Sequence, residues 1–259
     1  MDARLACAVA VLLFWTGAAL GQGFDHSHRT WDGLLKKSVV LAEGGNASLV
    51  RYDAMAQDRA ALKEYLDSLG RVGEAEFGAW SGPERMAFLI NAYNAHAMEK
   101  ILTRYPDIHS IWDFGRIFSN PFKDRFFRLF GRPFSLDDIE QDYLRKPYRE
   151  PRVHYALNCA SIGCPMLREE AYVPERLERQ LEDQAVRFLG DRSRNRFAGG
   201  RLEVSKIFDW YGEDFEPRPG YFARYAKLLA DDPASQRLIA EGKAPLSFLE
   251  YDWSLNASR

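Results

Sequence analysis

The chain has 259 residues, 46% of them apolar, which is enough to bury one sizeable hydrophobic core. Charged residues make up 28% and nearly cancel, giving a formal net charge of −2. The composition therefore argues against disorder and coiled coil, and the absence of a long Lys or Arg run argues against nucleic acid or an anionic membrane as a partner.

The first residues have the pattern of a targeting signal. Arg4 precedes an apolar stretch over residues 5–15, and Ala19-Leu20-Gly21 follows. We predict a cleavable signal peptide over residues 1–21, cut after Gly21, and hence a periplasmic or secreted protein. No later segment has the roughly 20 apolar residues that a transmembrane helix needs, so no membrane span is predicted.

Residues 22–259 are predicted to form a single globular domain, because no repeat or low-complexity linker divides them. Helices are expected over residues 31–40 and 58–69 from their helical spacing of apolar side chains. Ser81 and Glu84 have the spacing of a capping box. The stretch that follows is apolar on nearly every face, which predicts a central buried helix over about residues 82–104.

The rest of the chain mixes helices with short strands. Residues 126–134 predict a hairpin around Gly131-Arg132, and Ser135-Leu136-Asp137-Asp138 resembles a helix start. Pro174 opens a well-patterned helix, residues 201–205 and 246–253 read as strands, and helices are expected over 221–230 and after Asp232-Pro233. The predicted fold class is α+β, a helix-dominated domain with a few short strands around the buried central helix.

The best candidate functional site is the segment 154–164, which concentrates an imidazole and two thiols. Cys159 and Cys164 are an even pair, which in an oxidising compartment suggests a structural disulfide. Alternatively, Cys159 is a nucleophile with His154 as its base and Cys164 as a resolving thiol. Zinc held by His154, Cys159 and Cys164 is a third alternative, but the spacing matches no common zinc motif. We therefore predict no metal and no cofactor.

Other polar residues are candidates for supporting this site. Asn158 and the backbone amides near Ser161 are placed to bind a developing oxyanion, and Asp209 is the acid chosen to orient His154. Asn91 and Asn94 share one face of the central helix, where they either tie down an irregular loop or contact substrate. The predicted substrate-binding set is Asn91, Asn94, Asn158, Ser161 and Cys164.

Four motifs in order give the chain a family resemblance: Phe88-Leu89-Ile90-Asn91-Ala92-Tyr93-Asn94-Ala95, residues 154–165, Ser205-Lys206-Ile207-Phe208-Asp209-Trp210-Tyr211 and Tyr251-Asp252-Trp253-Ser254-Leu255-Asn256. Over about residues 80–256 it resembles the family known as domain of unknown function 547. The resemblance implies one domain with a shared site and fits an exported protein. It implies no substrate.

Two functions follow from these residues. The first is an exported thiol-dependent hydrolase or transferase acting on an amide, peptide or thiol substrate, with Cys159 as nucleophile and His154 as base. The second is a non-catalytic periplasmic binding or envelope protein with a structural Cys159–Cys164 disulfide. The expected partner in either case is a small molecule or peptide.

Overall fold

The computed structural model describes residues 23–42, 44–115 and 119–258, so the predicted signal peptide lies outside the described residues. The α-helices in these ranges are α1 (Arg29–Ser38), α2 (Tyr52–Gln57), α3 (Arg59–Gly70), α4 (Glu74–Ala79), α5 (Gly82–Leu102), α6 (Lys146–Tyr148), α7 (Val153–Ala156), α8 (Leu177–Gly190), α9 (Ile207–Trp210), α10 (Arg218–Arg224), α11 (Ala226–Leu229) and α12 (Pro233–Ala240). Three 3-10 segments (Ile111–Phe114, Pro174–Arg176 and Gly212–Phe215) and one π-helix (Asp138–Arg145) complete the helical structure. No helix among the described residues is long and apolar enough to cross a membrane.

The strands are short and form small sheets: β1 (Val39–Leu41), β2 (Ser48–Val50), β3 (Phe127–Leu129), β4 (Arg132–Phe134), β5 (Arg196–Ala198), β6 (Arg201–Val204) and β7 (Leu246–Phe248). β1 pairs with β2, and β3 with β4, while β5, β6 and β7 form a three-stranded sheet in that order. All pairs are antiparallel except β6–β7, which is parallel. The prediction of a helix-dominated α+β fold is confirmed.

The central helix α5 forms as its sequence predicts. Ser81 Oγ accepts a hydrogen bond from the Glu84 backbone amide, and the Glu84 carboxylate accepts one from the Ser81 amide at 2.7 Å. This capping box satisfies two amides that a helix start leaves unpaired. Every residue from Met86 to Met98 is buried, so α5 runs through the core on all faces.

The C-terminal third differs in detail from its sequence pattern. The helix expected over residues 221–230 is interrupted at Tyr225, whose φ of −112° and ψ of 16° separate α10 from α11. The strand expected over 246–253 ends at Phe248. The chain beyond it packs against residues 161–163. The Ile162 amide donates to the Ser254 carbonyl and the Gly163 amide to the Asp252 carbonyl, each at 2.8 Å.

Helix α7 lies between two hydrophobic clusters. The larger cluster surrounds α5 and includes Val153 and Ala156, whereas the smaller one surrounds α8 and α9 and includes Tyr155. Successive residues of one short helix therefore anchor it in both clusters. This anchoring fixes the backbone of His154, between Val153 and Tyr155. That residues 22–259 form one domain stays a prediction.

Candidate functional site

A cavity of about 370 Å³ lies beside the segment predicted as the functional site. Most of the side chains that line it are aromatic or aliphatic: Tyr93, Trp112, Phe122, Leu157, Pro165, Ile207, Trp210, Tyr211, Tyr251 and Trp253. The polar and sulfur-containing side chains are Asn120, Asp137, Glu140, His154, Cys159 and Cys164. An apolar cavity with a few convergent polar groups is the usual form of a small-molecule site. We refer to it as the aromatic cavity.

A larger hollow of about 500 Å³ lies near the start of the described chain, lined by residues that include Phe24, His28 and Tyr65. His28 Nδ1 lies 2.7 Å from the Tyr65 hydroxyl, and burial lowers the pKa of His28 to about 3. This imidazole therefore stays neutral and paired within the protein. The aromatic cavity is the better candidate, because it combines an acid, an imidazole and the predicted segment.

His154 is held by a carboxylate on one side of its ring. Its Nε2 lies 2.6 Å from Asp214 Oδ2, and the Tyr211 ring packs on the imidazole with centroids 4.2 Å apart. Arg145 donates to both oxygens of Asp214, at 2.6 and 3.0 Å. Burial alone would raise the pKa of Asp214, but the hydrogen bonds from His154 and Arg145 outweigh it and hold the pKa well below its usual range. Asp214 is therefore ionised and fixes the ring orientation.

The other ring nitrogen faces a second acid. His154 Nδ1 lies 4.0 Å from Glu140 Oε1 in the π-helix. Glu140 is only 8% exposed, and burial raises its pKa, although His154, Arg145 and a hydrogen bond from the Tyr211 hydroxyl oppose the shift. A buried carboxyl group with a raised pKa beside an imidazole is a typical acid–base arrangement.

The two cysteines form a disulfide in the wall of the cavity. The Cys159–Cys164 bond is present, and the Tyr251 hydroxyl lies 3.2 Å from Cys159 Sγ and 3.3 Å from Cys164 Sγ. This is the bridge considered from the sequence. In this form neither sulfur is a thiolate, so a nucleophilic Cys159 requires the reduced protein. No group of three or more His, Cys, Asp or Glu side chains in the described ranges is arranged to hold a metal.

Two predicted substrate-binding residues bond the backbone instead of facing the cavity. Asn91 donates to the Tyr172 carbonyl at 2.8 Å and accepts from its amide at 3.1 Å. Asn94 donates to the Ala156 carbonyl at 2.9 Å and accepts from the Asn158 amide at 2.8 Å. Both side chains are buried, and neither is among the described residues that line the cavity. They tie irregular loops to α5, which is the first of the two alternatives considered.

Asn158 and Ser161 shape the loop that carries the cysteines. The Asn158 side chain donates to the Pro165 carbonyl at 2.9 Å and accepts from the amide of Ala160, which has a left-handed φ of 62°. Ser161 Oγ donates to the Cys159 carbonyl at 3.4 Å. The structure therefore places these residues in the backbone framework that presents the disulfide.

A close approach of two segments secures the same loop. A Cβ added at Gly163 would lie 2.9 Å from a Tyr251 ring carbon and 3.0 Å from the backbone of Asp252. Only glycine allows this contact without a shift of the neighbouring chain. Through it, Gly163 brings Tyr251 against the cysteines.

Asp209 does not orient His154 in the structure. It pairs with Lys206 at 3.0 Å, and its side chain is 41% exposed. Asp214 contacts His154 because α9 ends at Trp210 and the 3-10 segment that follows turns the chain back toward α7. The acid beside His154 is therefore Asp214, five residues after the Asp209 that the sequence suggested.

Sequence reasoning also missed Glu140 and Arg145. A signal for Glu140 was present, since Leu136, Glu140 and Leu144 follow each other at intervals of four, which puts an acid on an apolar stripe. Arg145 offers no comparable signal. Its role depends on Asp214, which is 69 residues away in the chain.

The comparisons with known proteins bear on part of this site. Residues 77–189 match the model of the family described as "Protein of unknown function, DUF547", a range that contains α5, Glu140, His154 and both cysteines. The motifs over 205–211 and 251–256 lie beyond the matched range. No curated protein and no solved structure matches the chain. Over residues 77–189, the resemblance of this chain to the DUF547 family is confirmed.

Proposed function

We propose that the protein is a hydrolase or transferase that acts on an amide or peptide bond of a small molecule held in the aromatic cavity. One observation carries the proposal. The His154 imidazole is fixed by Asp214 through Nε2, and its Nδ1 lies 4.0 Å from the buried Glu140 carboxyl group at the cavity wall.

The chemistry follows from which groups carry protons. Asp214 is an acceptor, so the Nε2 of neutral His154 carries the hydrogen and Nδ1 is left free to take a proton. His154 then acts as a base toward water, and Glu140 acts as the acid, because its raised pKa keeps a larger share protonated. Asp214 also stabilises the imidazolium that forms.

The proposed hydrolysis balances without a further reactant. The water oxygen forms a bond to the carbonyl carbon while one water proton moves to His154 Nδ1. The carbon–nitrogen bond then breaks, and the Glu140 proton moves to the leaving amine. The proton on Nδ1 returns to Glu140, which restores both groups.

The test is turnover by the purified protein of a panel of aminomethylcoumarin and p-nitroanilide amides. His154→Gln and Glu140→Gln are each expected to lower the turnover about 100-fold or more. Asp142→Asn is the matched control, since Asp142 lies in the same π-helix, its side chain is 52% exposed and it pairs with Lys146. Full turnover in both glutamine variants would refute the acid–base pair.

A thiol-dependent reaction is a second route to the same reaction class, favoured by the position of the Cys159 sulfur in the cavity wall. It requires an added thiol reductant, which opens the disulfide and is itself oxidised. The Cys159 thiol then adds to the carbonyl carbon, the carbon–nitrogen bond breaks as the thiol proton passes to the leaving amine, and water hydrolyses the resulting thioester to restore the thiol. If water is the nucleophile, we expect Cys159→Ser, which cannot form the bridge, to retain amide turnover in the absence of a reductant. Turnover that appears only after reduction and is lost in Cys159→Ser would identify Cys159 as the nucleophile.

A non-catalytic binding protein is the candidate from another class. The closed disulfide and the aromatic lining favour it. Its signature is saturable quenching of tryptophan fluorescence by a ligand without any turnover across the amide panel, with the disulfide intact.

We also propose export to the periplasm or the extracellular space, from the signal-like pattern of residues 1–21. Expression in a bacterial host with intact-mass measurement of the product tests this proposal. A mature chain that begins at Gln22 is expected, whereas a chain in the cytoplasm that retains residues 1–21 would contradict it.

A further inference from the structure

We infer that the aromatic cavity selects an organic cation, such as an amine or quaternary ammonium group attached to a compact apolar body. This inference rests on the proposed function only in that the cavity binds a ligand. It adds the chemical class of that ligand, which neither the sequence motifs nor the family resemblance supplies.

Electron-rich rings cluster in the wall of the aromatic cavity. Trp210 and Trp253 lie with centroids 5.6 Å apart, and Trp253 contacts Tyr251 at 4.5 Å and Trp112 at 5.4 Å. Trp210 is 45% exposed, although large aromatic side chains are usually buried, so its ring remains available at the cavity edge. Tryptophan is the aromatic side chain that attracts a cation most strongly.

The charged side chains of the cavity lining are acids. Asp137 and Glu140 are the acids among the described lining residues, and none of these residues is a Lys or Arg. His154 is the remaining titratable nitrogen group on the wall, and it is engaged by Asp214. A cationic ligand would therefore meet acids whose ionised form it favours, whereas an anionic ligand would meet like charge on the ionised share of the same acids.

Two cationic side chains outside the lining, Arg145 and Lys123, act on the wall acids and lower their pKa values, but burial of these acids is the larger influence. Arg145 uses its donors on Asp214 and Gln141. Lys123 lies close enough to Asp137 to lower its pKa, but burial of Asp137 is the larger influence and raises it. Burial thus disfavours the ionised forms of Asp137 and Glu140, and a bound cation would stabilise those forms.

A neutral saccharide is the main competing ligand, because sugars also stack on tryptophan and hydrogen-bond to carboxylates. The difference is charge. A saccharide would find hydrogen-bond partners in Asn120 and in the tyrosine hydroxyls of the wall, but being neutral it gains nothing from the charge of the lining acids Asp137 and Glu140. The composition of the wall therefore favours the cation.

The test uses the full protein and matched probes that differ in charge: 2-phenylethylamine, 2-phenylethanol and phenylacetate, with benzyltrimethylammonium as a permanent cation. Binding is measured by tryptophan fluorescence and by calorimetry. We expect the affinity of both cations to be at least about tenfold higher than that of the alcohol, and phenylacetate to bind most weakly. Added salt should weaken binding of the cations more than that of the alcohol.

Two variants separate the charge from the aromatic contribution. Glu140→Gln is expected to weaken binding of the cations about tenfold and to leave the alcohol unchanged, while Asp142→Asn leaves all affinities unchanged. Trp210→Leu keeps an apolar side chain but removes the ring, so it should weaken binding of the cations more than binding of the alcohol. A thermal unfolding transition like that of the unsubstituted protein shows that each variant retains the fold.

The inference is overturned if the alcohol, phenylacetate or a saccharide such as glucose binds as tightly as the amine, or if no probe binds. These results concern the ligand class alone. Failure of the proposed acid–base function would appear elsewhere, as unchanged amide turnover in His154→Gln and Glu140→Gln.

Discussion

The imidazole of His154 donates from Nε2 to Oδ2 of Asp214 across 2.6 Å, although the two residues are 60 positions apart in the chain. Arg145 donates to both oxygens of the same carboxylate and so holds Asp214 in the orientation that faces the imidazole. The pair therefore determines which nitrogen of His154 carries the hydrogen.

Replacement of Asp214 by Asn is expected to release this control. An amide side chain is a weaker acceptor and can itself donate to Nε2, which favours the opposite tautomer. Nitrogen-15 NMR of the imidazole should show Nε2–H in the unsubstituted protein and a shift toward Nδ1–H in Asp214→Asn, with amide turnover reduced about 1,000-fold. Asp209→Asn is the matched control, and an equal effect of both substitutions would contradict the role of Asp214.

Replacement of Glu140 by Gln is expected to stabilise the protein at neutral pH. The folded-state pKa of Glu140 is raised, so the proton favours folding at low pH and this contribution is lost as the pH rises through the folded-state value. The variant should therefore gain free energy of unfolding at pH 7 relative to the unsubstituted protein, and the gain should disappear once the pH falls below the pKa of an unfolded glutamate. Urea unfolding at several pH values measures it, and a gain that grows on acidification would refute the sign.

Removal of the Cys159–Cys164 bridge is expected to destabilise the fold. The loop that it closes is short, with a separation of five residues, so the loss in free energy of unfolding is about 2 kcal/mol. The double variant Cys159→Ala/Cys164→Ala should show this loss in urea unfolding. Intact mass of the unsubstituted protein should be two hydrogens below that of the fully reduced chain, and a mass equal to the reduced chain would exclude the bridge.

Substitution of Gly163 by Ala should displace the C-terminal segment from the cysteine loop. The added methyl group would press on Tyr251 and on the backbone of Asp252, at a cost of about 1–3 kcal/mol in free energy of unfolding. Gly78→Ala is the control, since Gly78 lies in α4 with open space around it and alanine favours a helix. It should be neutral or stabilising. Equal stability of the two variants would contradict the close approach at Gly163.

The sequence was a good guide wherever the determining interactions are local. The capping box of Ser81 and Glu84 and the apolar run after it specify α5 without reference to the rest of the chain. The hairpin predicted around Gly131-Arg132 likewise forms, as β3–β4, although its turn lies one residue earlier, at Phe130-Gly131, where both residues have a positive φ. The cysteine segment could be identified because its reactive groups are close together in the chain.

The partners in the site were harder to predict because they depend on tertiary contacts. Asp209 and Asp214 occur in the same aromatic segment, and only the end of α9 decides which acid turns back to His154. Asn91 and Asn94 share a face of α5 as predicted, but periodicity does not reveal whether that face meets a cavity or a loop backbone. Glu140 joins His154 from another element, so no local motif contains both.

The packing of residues 251–254 against residues 161–163 determines when the cavity wall is completed during synthesis of the chain. Tyr251 and Trp253 supply part of the cavity wall and follow the other lining residues in the chain, so a ribosome adds them last among these residues. A nascent or prematurely terminated chain thus contains His154 and both cysteines before the wall of the aromatic cavity is complete. Loss of the Tyr251 and Trp253 side chains would therefore remove part of the cavity wall and leave α5 with its capping box in place.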